Sequence, residues 1–263
     1  MKLGVMQPYF FPYLGYFQLI RAVDKFILYD SLPYIRHGWV NRNRILQVHQ
    51  GIRYIGVPLR KPTTGVAIRE IRIDGSQPWA QTLLRSLWHN YRRAAAFEEI
   101  YPLAETLLSY PYETLSEINF ATLKAVTTWL SIGTPIVYGS EKYHAIELSL
   151  GETDLHCDKK TRRILALCRA EKADTYLNPP GGQTLYQPAV FQAKGIELQF
   201  LHPGDTPYPQ MPDANREKAG HPFVCRLSIL DVLMHCGLGG TRRLLGDYTL
   251  SGRSCMPSSQ AER

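Results

Sequence analysis

The fold is decided by residues 2–30, KLGVMQPYFFPYLGYFQLIRAVDKFILYD. The apolar run 2–6 predicts a strand that ends at Gln7-Pro8, because proline cannot donate to a strand ladder. Residues 14–23 repeat apolar side chains at helical spacing, which predicts a helix. Residues 26–29 predict a second strand, which ends at Asp30. A strand, a helix and a strand in this order indicate a βαβ unit.

The rest of the chain extends this alternation. Further strands are predicted at 52–59, 67–73, 135–138, 174–177 and 196–201, and helices at 78–92, 97–109, 113–131, 160–170, 188–193 and 227–236. Strands alternating with helices are typical of a parallel sheet with helices on its faces. We therefore expect an α/β fold with a largely parallel sheet flanked by helices, Rossmann-like but without a dinucleotide fingerprint. It should form a single domain over residues 1–250, with a helical insertion at about 78–131.

Two further segments are predicted to form neither helices nor strands. Residues 203–222, rich in proline, glycine and charge, predict a long surface loop, and residues 251–263 predict a disordered tail.

No apolar run is long enough to cross a bilayer, and the first residues lack a signal peptide. We therefore expect a cytoplasmic protein. The five cysteines form no C-x-x-C pair, which argues against a disulfide scaffold or a Cys-rich zinc site.

Positive charge is concentrated at the start of the chain. Residues 1–72 contain eleven Lys and Arg against three Asp and Glu, a net charge of +8, whereas the whole chain carries +7. A positive field confined to one part of a chain attracts anions. Because no groove-binding or base-stacking motif accompanies it, we expect a phosphorylated small molecule such as a nucleotide sugar as the ligand.

Candidate site residues follow the predicted strands. Gln7 and Asp30 each come directly after a strand, and open α/β sheets bind ligands at the carboxyl ends of their strands. The turn through residues 11–17 leads into a helix whose amino end offers N–H groups to an anion. The loop after Asp30 carries hydrogen-bond donors and a stacking ring, namely Arg36, His37, Trp39, Asn41, Arg42 and Asn43. These residue types are equally compatible with packing and helix capping.

A second group of candidates lies in the second half of the chain. Lys160 and Arg163 open a predicted helix, and Gly181-Gly182 follows the next strand. If the strands are parallel, both loops reach the same sheet edge as Gln7. Basic side chains beside a glycine-rich turn can cradle phosphate, although Gly-Gly after prolines is more often an ordinary turn. The eight histidines have no metal-ligand spacing, so no metal site is predicted.

The run MQPYFFPYLGYF, residues 6–17, resembles the amino-terminal signature of the WbqC-like family. The likeness continues at Asp24, Asp30, Trp39, 41–43, 160–163, 173–177, Gly181, Gly182, Tyr186, 208–210, 228–231 and Gly237. Members of this family occur in bacterial gene clusters for surface polysaccharides (O-antigen). The resemblance implies a role in transferring glycine or another amino acid onto a sugar.

The leading hypothesis is therefore an acyl-transfer enzyme. The amino group of a sugar, free or nucleotide-linked, would attack an activated amino-acid carboxyl, which needs a base and donors for the developing oxyanion. Asp30 is the candidate base, His37 is the second candidate for proton transfer, and Trp39 would stack on a nucleotide base. The other predicted substrate contacts are Gln7, Tyr16, Asn41, Arg42, Asn43, Lys160, Arg163, Gly181, Gly182 and Tyr186.

Two other functions stay open at this point. A nucleotidyltransferase or adenylate-forming enzyme would fit the strand, turn and helix at the start of the chain, although its H-x-G-H motif is missing. That function would use ATP and magnesium, cofactors that the sequence does not establish. A non-catalytic binding component of polysaccharide assembly would use the basic segment and the 203–222 loop. Nucleic acid is an expected partner only if the amino acid arrives as aminoacyl-tRNA.

Overall fold

A computed structural model describes residues 1–47, 51–61, 65–150, 158–210 and 223–252. The strands are β1 (Lys2–Met6), β2 (Lys25–Leu28), β3 (Arg42–Gln47), β4 (Gly51–Gly56), β5 (Ile136–Tyr138), β6 (Thr175–Asn178), β7 (Glu197–Pro203) and β8 (Tyr248–Ser251). The helices are α1 (Leu14–Ala22), α2 (Trp79–Tyr91), α3 (Phe97–Leu108), α4 (Leu115–Trp129), α5 (Gly139–Lys142), α6 (His144–Ser149), α7 (Lys159–Ala170), α8 (Pro188–Gln192) and α9 (Ile229–Leu244). Short 3-10 turns span Ile68–Glu70 and Pro180–Thr184.

Six strands form one sheet in the order β5-β2-β1-β6-β7-β8. All neighbours pair in parallel except β7 and β8, which are antiparallel. The chain first adds strands on one side of β1 and then returns to add β6 and β7 on the other side. The predicted α/β fold with a largely parallel sheet is confirmed, and the reversal of winding falls between β1 and β6. Such a reversal leaves a crevice outside the carboxyl ends of the two strands, where open α/β sheets bind ligands.

Both faces of the sheet are covered, as the alternation within β2 shows. Phe26 and Leu28 belong to a large core with α1, the helices α2–α4 and α9. Ile27 and the following Tyr29 belong to a second core with α7 and α8. Strands that are buried on both faces read as continuous apolar runs, which is why β1 and β2 were recognisable from the sequence. The helices α2–α4, which lie between β4 and β5, correspond to the predicted helical insertion.

β3 and β4 form a separate antiparallel hairpin. Its inner face buries Ile45 and Ile55 against the large core. The outer edge of β3 is held by two contacts: the Arg44 carbonyl accepts from the Ser228 N–H at 2.8 Å, and the Leu46 N–H donates to the Tyr91 hydroxyl at 3.1 Å. The hairpin therefore rests against the start of α9 and the end of α2.

Several predicted elements are wrong in detail. Residues 67–73 form a 3-10 turn with isolated bridges instead of a strand, because their backbone groups bond to several different loops: Ile68 N–H to Leu32, Arg69 N–H to Asp30 and Ile73 N–H to Glu113. Asn41 lies in the loop as predicted, but Arg42 and Asn43 do not, since β3 begins at Arg42. The strands β3 and β8 were not predicted.

Local sequence features explain where helix α4 begins and where helix α9 is interrupted. Thr114 and Glu117 form a capping box at the start of α4. Helix α9 continues beyond the predicted end at 236, but Gly237 interrupts it with a φ of 63°, a left-handed conformation that favours glycine. Residues 204–210 form neither helix nor strand, as predicted. The predicted disordered tail is wrong at its first residue, because Ser251 belongs to β8. The remaining residues of the predicted loop, 211–222, and of the predicted tail, 253–263, lie outside the described residues.

Glu171, directly after α7, ties together three parts of the second core. Its carboxylate accepts hydrogen bonds from Lys25 at 2.5 Å, from Lys142 at 2.6 Å and from the Tyr143 hydroxyl. Burial raises the pKa of the Glu171 carboxyl, but these hydrogen bonds outweigh it and lower the pKa to about 2. Ionised Glu171 therefore favours the folded state.

We predict that Glu171→Gln weakens the pH dependence of stability in acid. Because the folded-state pKa lies below the ordinary value of 4.5, the stabilisation is present above that value and is lost as the pH falls towards 2. Urea unfolding measured from pH 7 to pH 2.5 should show lower stability of the variant at pH 7 and a shallower loss in acid. Glu113→Gln, which removes an exposed partner of Arg72, should change little. Parallel acid profiles for Glu171→Gln and the parent protein would contradict this prediction.

Candidate functional site

The carboxyl ends of five parallel strands meet at one edge of the sheet. β1 and β6 pair with Gly4 opposite Leu177, so the residues that follow them, Gln7 and Pro179, leave the sheet side by side. Asp30 follows β2 at the same edge. The structure thus brings the two halves of the predicted site together at the crevice between β1 and β6.

Gln7 is a polar group at this edge of the sheet, directly after the end of β1. Its backbone is held in place, because the Gln7 carbonyl accepts from the Tyr16 hydroxyl at 2.7 Å. Its side chain is half-buried, and the amide makes no hydrogen bond to any residue in the described ranges. A partly desolvated amide on a fixed backbone, with no hydrogen bond to any described residue, is suited to a ligand, since buried polar groups normally have partners. Tyr16, predicted to touch substrate, is buried and acts here as an anchor for Gln7.

The loop from Gln7 to Tyr13 is held by side chains from elsewhere in the chain. The Asn43 amide donates to the carbonyls of Phe10 at 3.1 Å and Phe11 at 2.8 Å. Ser228 donates to the Phe11 carbonyl at 2.8 Å, and Phe11 itself has a φ of 40°. Both N–H groups of the buried Asn43 amide are therefore used inside the protein, which gives this predicted substrate contact a structural role.

The amino end of α1, predicted to offer N–H groups to an anion, is closed. Gly15 is buried, and a Cβ there would lie 2.4 Å from the Tyr13 ring and 2.5 Å from the Pro203 ring. The Tyr16 N–H donates to the Tyr13 carbonyl at 3.0 Å. Tyr13 and Pro203 thus occupy the space in which an anion would have to approach.

The start of α7 carries the charges on the other side of the crevice. Arg163 binds both oxygens of Glu147 in α6, and the Tyr29 hydroxyl donates to the same carboxylate at 2.5 Å. Burial raises the pKa of the Glu147 carboxyl, but the hydrogen bonds from Arg163 and Tyr29 outweigh it and lower the pKa. Arg163 is consequently neutralised. Lys160 is exposed and makes no salt bridge to any described residue, so its charge remains available to a ligand.

Gly181 and Gly182 form part of the 3-10 turn after β6. Gly182 approaches Asn178 so closely that a Cβ would lie 2.9 Å from the Asn178 amide oxygen, whereas Gly181 faces open space. The Asn178 amide donates to the Tyr176 hydroxyl at 2.7 Å. Tyr186 packs its half-buried ring against Tyr176. Of the two predicted glycines, therefore, only Gly181 has open space beside its Cα.

Asp30 is completely buried. One carboxylate oxygen accepts from the Ser116 hydroxyl at 2.6 Å, at the start of α4. The other oxygen is also buried and has no hydrogen-bond partner among the described residues. In this structure the carboxylate cannot reach a substrate, so the predicted role of Asp30 as a base would require an opening of the site.

The remaining predicted residues lie on the hairpin side of the 7–13 loop. His37 is exposed and has a φ of 63°. The Arg42 guanidinium donates to the His37 and Gly38 carbonyls. Asn41 accepts from the Tyr34 hydroxyl at 2.9 Å and donates to the Val57 carbonyl at 3.1 Å, so its amide is used within the protein.

A buried polar cluster behind the site was not predicted as such. Asp231 accepts from the hydroxyls of Tyr91 at 2.6 Å and Tyr208 at 2.5 Å, with His235 3.8 Å away. Burial raises the pKa of the Asp231 carboxyl. In the sequence Asp231 belongs to an S-x-x-D capping pattern, and only the folded chain brings to it Tyr91, at the end of α2, and Tyr208, in the loop after β7. Glu147, the partner of Arg163, gave no sequence signal either.

The fold defines an α/β protein with a doubly wound sheet and polar side chains at its winding reversal. The chain belongs to the WbqC-like protein family, whose profile matches residues 7–243. It is similar to the uncharacterized protein Rv1507c of Mycobacterium tuberculosis, with 34% identity over 239 residues that cover 90% of this chain and 94% of that protein. No solved structure matches the chain. No helix within the described ranges is long and apolar enough to cross a membrane.

We predict that Asn43→Ala lowers stability by about 2 kcal/mol, because it leaves the buried Phe10 carbonyl without a donor. Urea unfolding in the absence of any ligand measures this. Asn41→Ala, two residues away and less buried, should cost less. If Asn43→Ala were as stable as the parent protein but lost ligand binding, Asn43 would be a substrate contact instead of a structural one.

Proposed function

We propose that the protein is a transferase of surface-polysaccharide synthesis that acts in the cytoplasm. It binds a nucleotide-linked amino sugar in the crevice between β1 and β6 and transfers an amino acid such as glycine to the sugar's amino group. The observation that carries this proposal is the free, half-buried amide of Gln7 at the winding reversal of a parallel sheet. That position is where α/β sheets bind nucleotides and related ligands.

The charges around the crevice support a phosphorylated ligand. Lys160 supplies an exposed positive charge at the start of α7, with no salt bridge within the described ranges, and Gly181 leaves the turn after β6 open. Arg163 contributes indirectly, because its pairing with Glu147 fixes the start of α7 against Tyr29. In this arrangement Lys160 contacts phosphate and Gln7 orients the sugar.

The proposed chemistry needs a group that accepts the proton of the sugar's ammonium. The attacking nitrogen forms a bond to the carbonyl carbon, and the oxyanion that develops needs hydrogen-bond donors. Of the two sequence candidates, His37 is exposed whereas Asp30 is sealed inside the fold. We therefore assign proton transfer to His37 and a positioning role to Asp30, which holds the start of α4 through Ser116.

Adenylate formation or nucleotidyl transfer is the second candidate function. The sheet order favours it as well, since the winding reversal suits a nucleotide. The closed amino end of α1 argues against it, because Tyr13 and Pro203 occupy the space that a phosphate would need there.

We predict that Gln7→Ala weakens binding of a nucleotide-linked amino sugar about tenfold, the effect of losing one or two hydrogen bonds in a partly dry site. Lys160→Ala should weaken it several-fold, with the difference shrinking at high salt. Calorimetric titration with a uridine-diphosphate amino sugar measures both. Lys124→Ala removes an exposed lysine on α4 and serves as the matched control, for which no change is expected.

Mass spectrometry of the sugar after incubation with an activated glycine tests the transfer itself. A product heavier by one glycyl unit, reduced in His37→Ala, is the expected result. Release of AMP or pyrophosphate from ATP without that product would favour the second candidate. Binding that is unaffected by Gln7→Ala and Lys160→Ala would exclude the β1–β6 crevice as the site.

A further inference from the structure

The outer face of the β3–β4 hairpin carries arginine and aromatic side chains. The strands pair with Arg44 opposite Tyr54 and Arg42 opposite Gly56, so these side chains share one face. The residues between them, Asn43, Ile45 and Ile55, are buried on the other face. Trp39, just before β3, joins the outer face.

Four of these side chains form a stack, which we call the hairpin ladder: Trp39, Arg42, Arg44 and Tyr54. The two rings are nearly parallel, with an interplanar angle of 18° and centroids 6.4 Å apart. The Arg42 guanidinium lies 4.8 Å from the Tyr54 centroid, and that of Arg44 lies 5.3 Å from the Trp39 centroid. Trp39 is 38% exposed and Tyr54 is 54% exposed.

The positive charges of the ladder have no counter-charge in the described part of the chain. Arg42 donates to the carbonyls of His37 and Gly38, and Arg44 donates to the carbonyl of Arg226. The Nε of Arg44 is buried without a hydrogen-bond partner among the described residues. These contacts hold both guanidiniums in place but leave N–H groups unused. Two like charges side by side on one strand are unfavourable unless an anion joins them.

A cleft beside the ladder adds space for a flat group. It lies between the free edge of β4 and α2, has a volume of about 450 Å³, and is lined by Arg53, Tyr54 and Trp79 among other residues. A volume of this size is typical of ligand sites. Fixed guanidiniums, exposed rings and an adjacent cleft are the features with which proteins bind single-stranded nucleic acids, whose bases unstack and whose phosphates are charged.

We propose that the hairpin ladder binds the single-stranded end of an RNA. The phosphates would contact Arg42 and Arg44, and unpaired bases would pack on the ladder and enter the cleft. The excess of positive charge in residues 1–72, +8, matches a polyanion. A membrane surface fits less well, because Trp39 and Tyr54 lie against each other and under arginines instead of projecting outwards.

The ladder is continuous with the proposed active site. The Trp39 carbonyl accepts from the Phe10 N–H at 3.3 Å, and Asn43, between Arg42 and Arg44, binds the Phe10 and Phe11 carbonyls. The same loop begins with Gln7. An RNA end on the ladder therefore points to the crevice between β1 and β6.

This continuity identifies the class of the acyl donor, a step that rests on the proposed function. The donor is an amino acid esterified to the terminal ribose of the RNA. The sugar's amine nitrogen attacks the ester carbonyl carbon and forms the amide bond. The ester C–O bond breaks, and the ribose hydroxyl leaves with the proton that the amine gives up. The step needs no ATP.

Fluorescence anisotropy with a labelled single-stranded RNA oligonucleotide tests the binding. The double variant Trp39→Ala/Tyr54→Ala should bind at least about tenfold more weakly, whereas Trp39→Phe/Tyr54→Phe should keep most of the affinity. Arg42→Gln/Arg44→Gln should reduce the slope of log K against log salt by about 1.4, as expected for two phosphate contacts on a single strand. Thermal unfolding confirms that each variant is folded.

The pair Trp88 and Arg92 provides a matched control. Trp88 is 39% exposed, the Arg92 guanidinium lies 4.4 Å from its ring, and the pair lies at the end of α2, where the His89 ring also contacts Trp88. Trp88→Ala/Arg92→Gln should leave RNA affinity unchanged. Equal losses from the control and the ladder variants would overturn the proposal. So would heparin or anionic lipid vesicles that bind as tightly as RNA and do not respond to loss of the rings.

Transfer assays separate this inference from the proposed function. Glycine esterified to RNA should yield the glycyl sugar without ATP, and the ladder variants should lose that product. If RNA binds through the ladder but no donor gives a product, the RNA site stands and the transferase proposal fails. If free glycine with ATP gives the product equally well in ladder variants, the transferase stands and the RNA-borne donor is wrong.

Discussion

The structure depends on how the carbonyl groups of residues 7–12 are satisfied. β1 ends at Met6, and the chain then crosses the interior without strand partners. Buried backbone carbonyls without donors are costly, so side chains from distant elements must reach them. Asn119 in α4 donates to the Pro8 carbonyl, and Asn43 in β3 donates to the carbonyls of Phe10 and Phe11. Ser228, directly before α9, also donates to the Phe11 carbonyl. One loop therefore fastens the hairpin, the helical insertion and the last helix to the sheet.

This constraint explains why many polar residues of the family signature are buried. Asn43, Tyr16 and Asp30 use their polar groups to hold backbone or helix ends, and none of them faces an open surface. The rigid loop that results presents the Gln7 side chain, which has no hydrogen-bond partner in the described ranges, at the winding reversal of the sheet. A site on a loop that is fixed in this way loses little entropy when it binds a ligand.

Charge is divided between two surfaces that meet at this loop. On one side Arg163 is neutralised by Glu147, while Lys159 and Lys160 are both exposed at the start of α7. On the other side Arg42 and Arg44 are held by carbonyls and rings, with no carboxylate beside them in the described ranges. A transferase with two anionic substrates needs two such surfaces, one for the acceptor and one for the donor.

The sequence by itself determined the fold class, the parallel strands and the position of Gln7 at a strand end, because apolar runs and proline act locally along the chain. The sequence also indicated that Asn43, Asp30 and Arg163 are important, but it did not indicate which contacts they make. Their partners, Phe10, Ser116 and Glu147, are far away in sequence or give no pattern, so only packing decided that these residues serve the scaffold.

The strands β3 and β8 were not predicted for the same reason. β3 alternates half-buried arginines with buried residues, and its pairing with β4 and its contact with the start of α9 exist only in the folded chain. The hairpin ladder likewise arises from a register, Arg44 opposite Tyr54, that no local signal specifies.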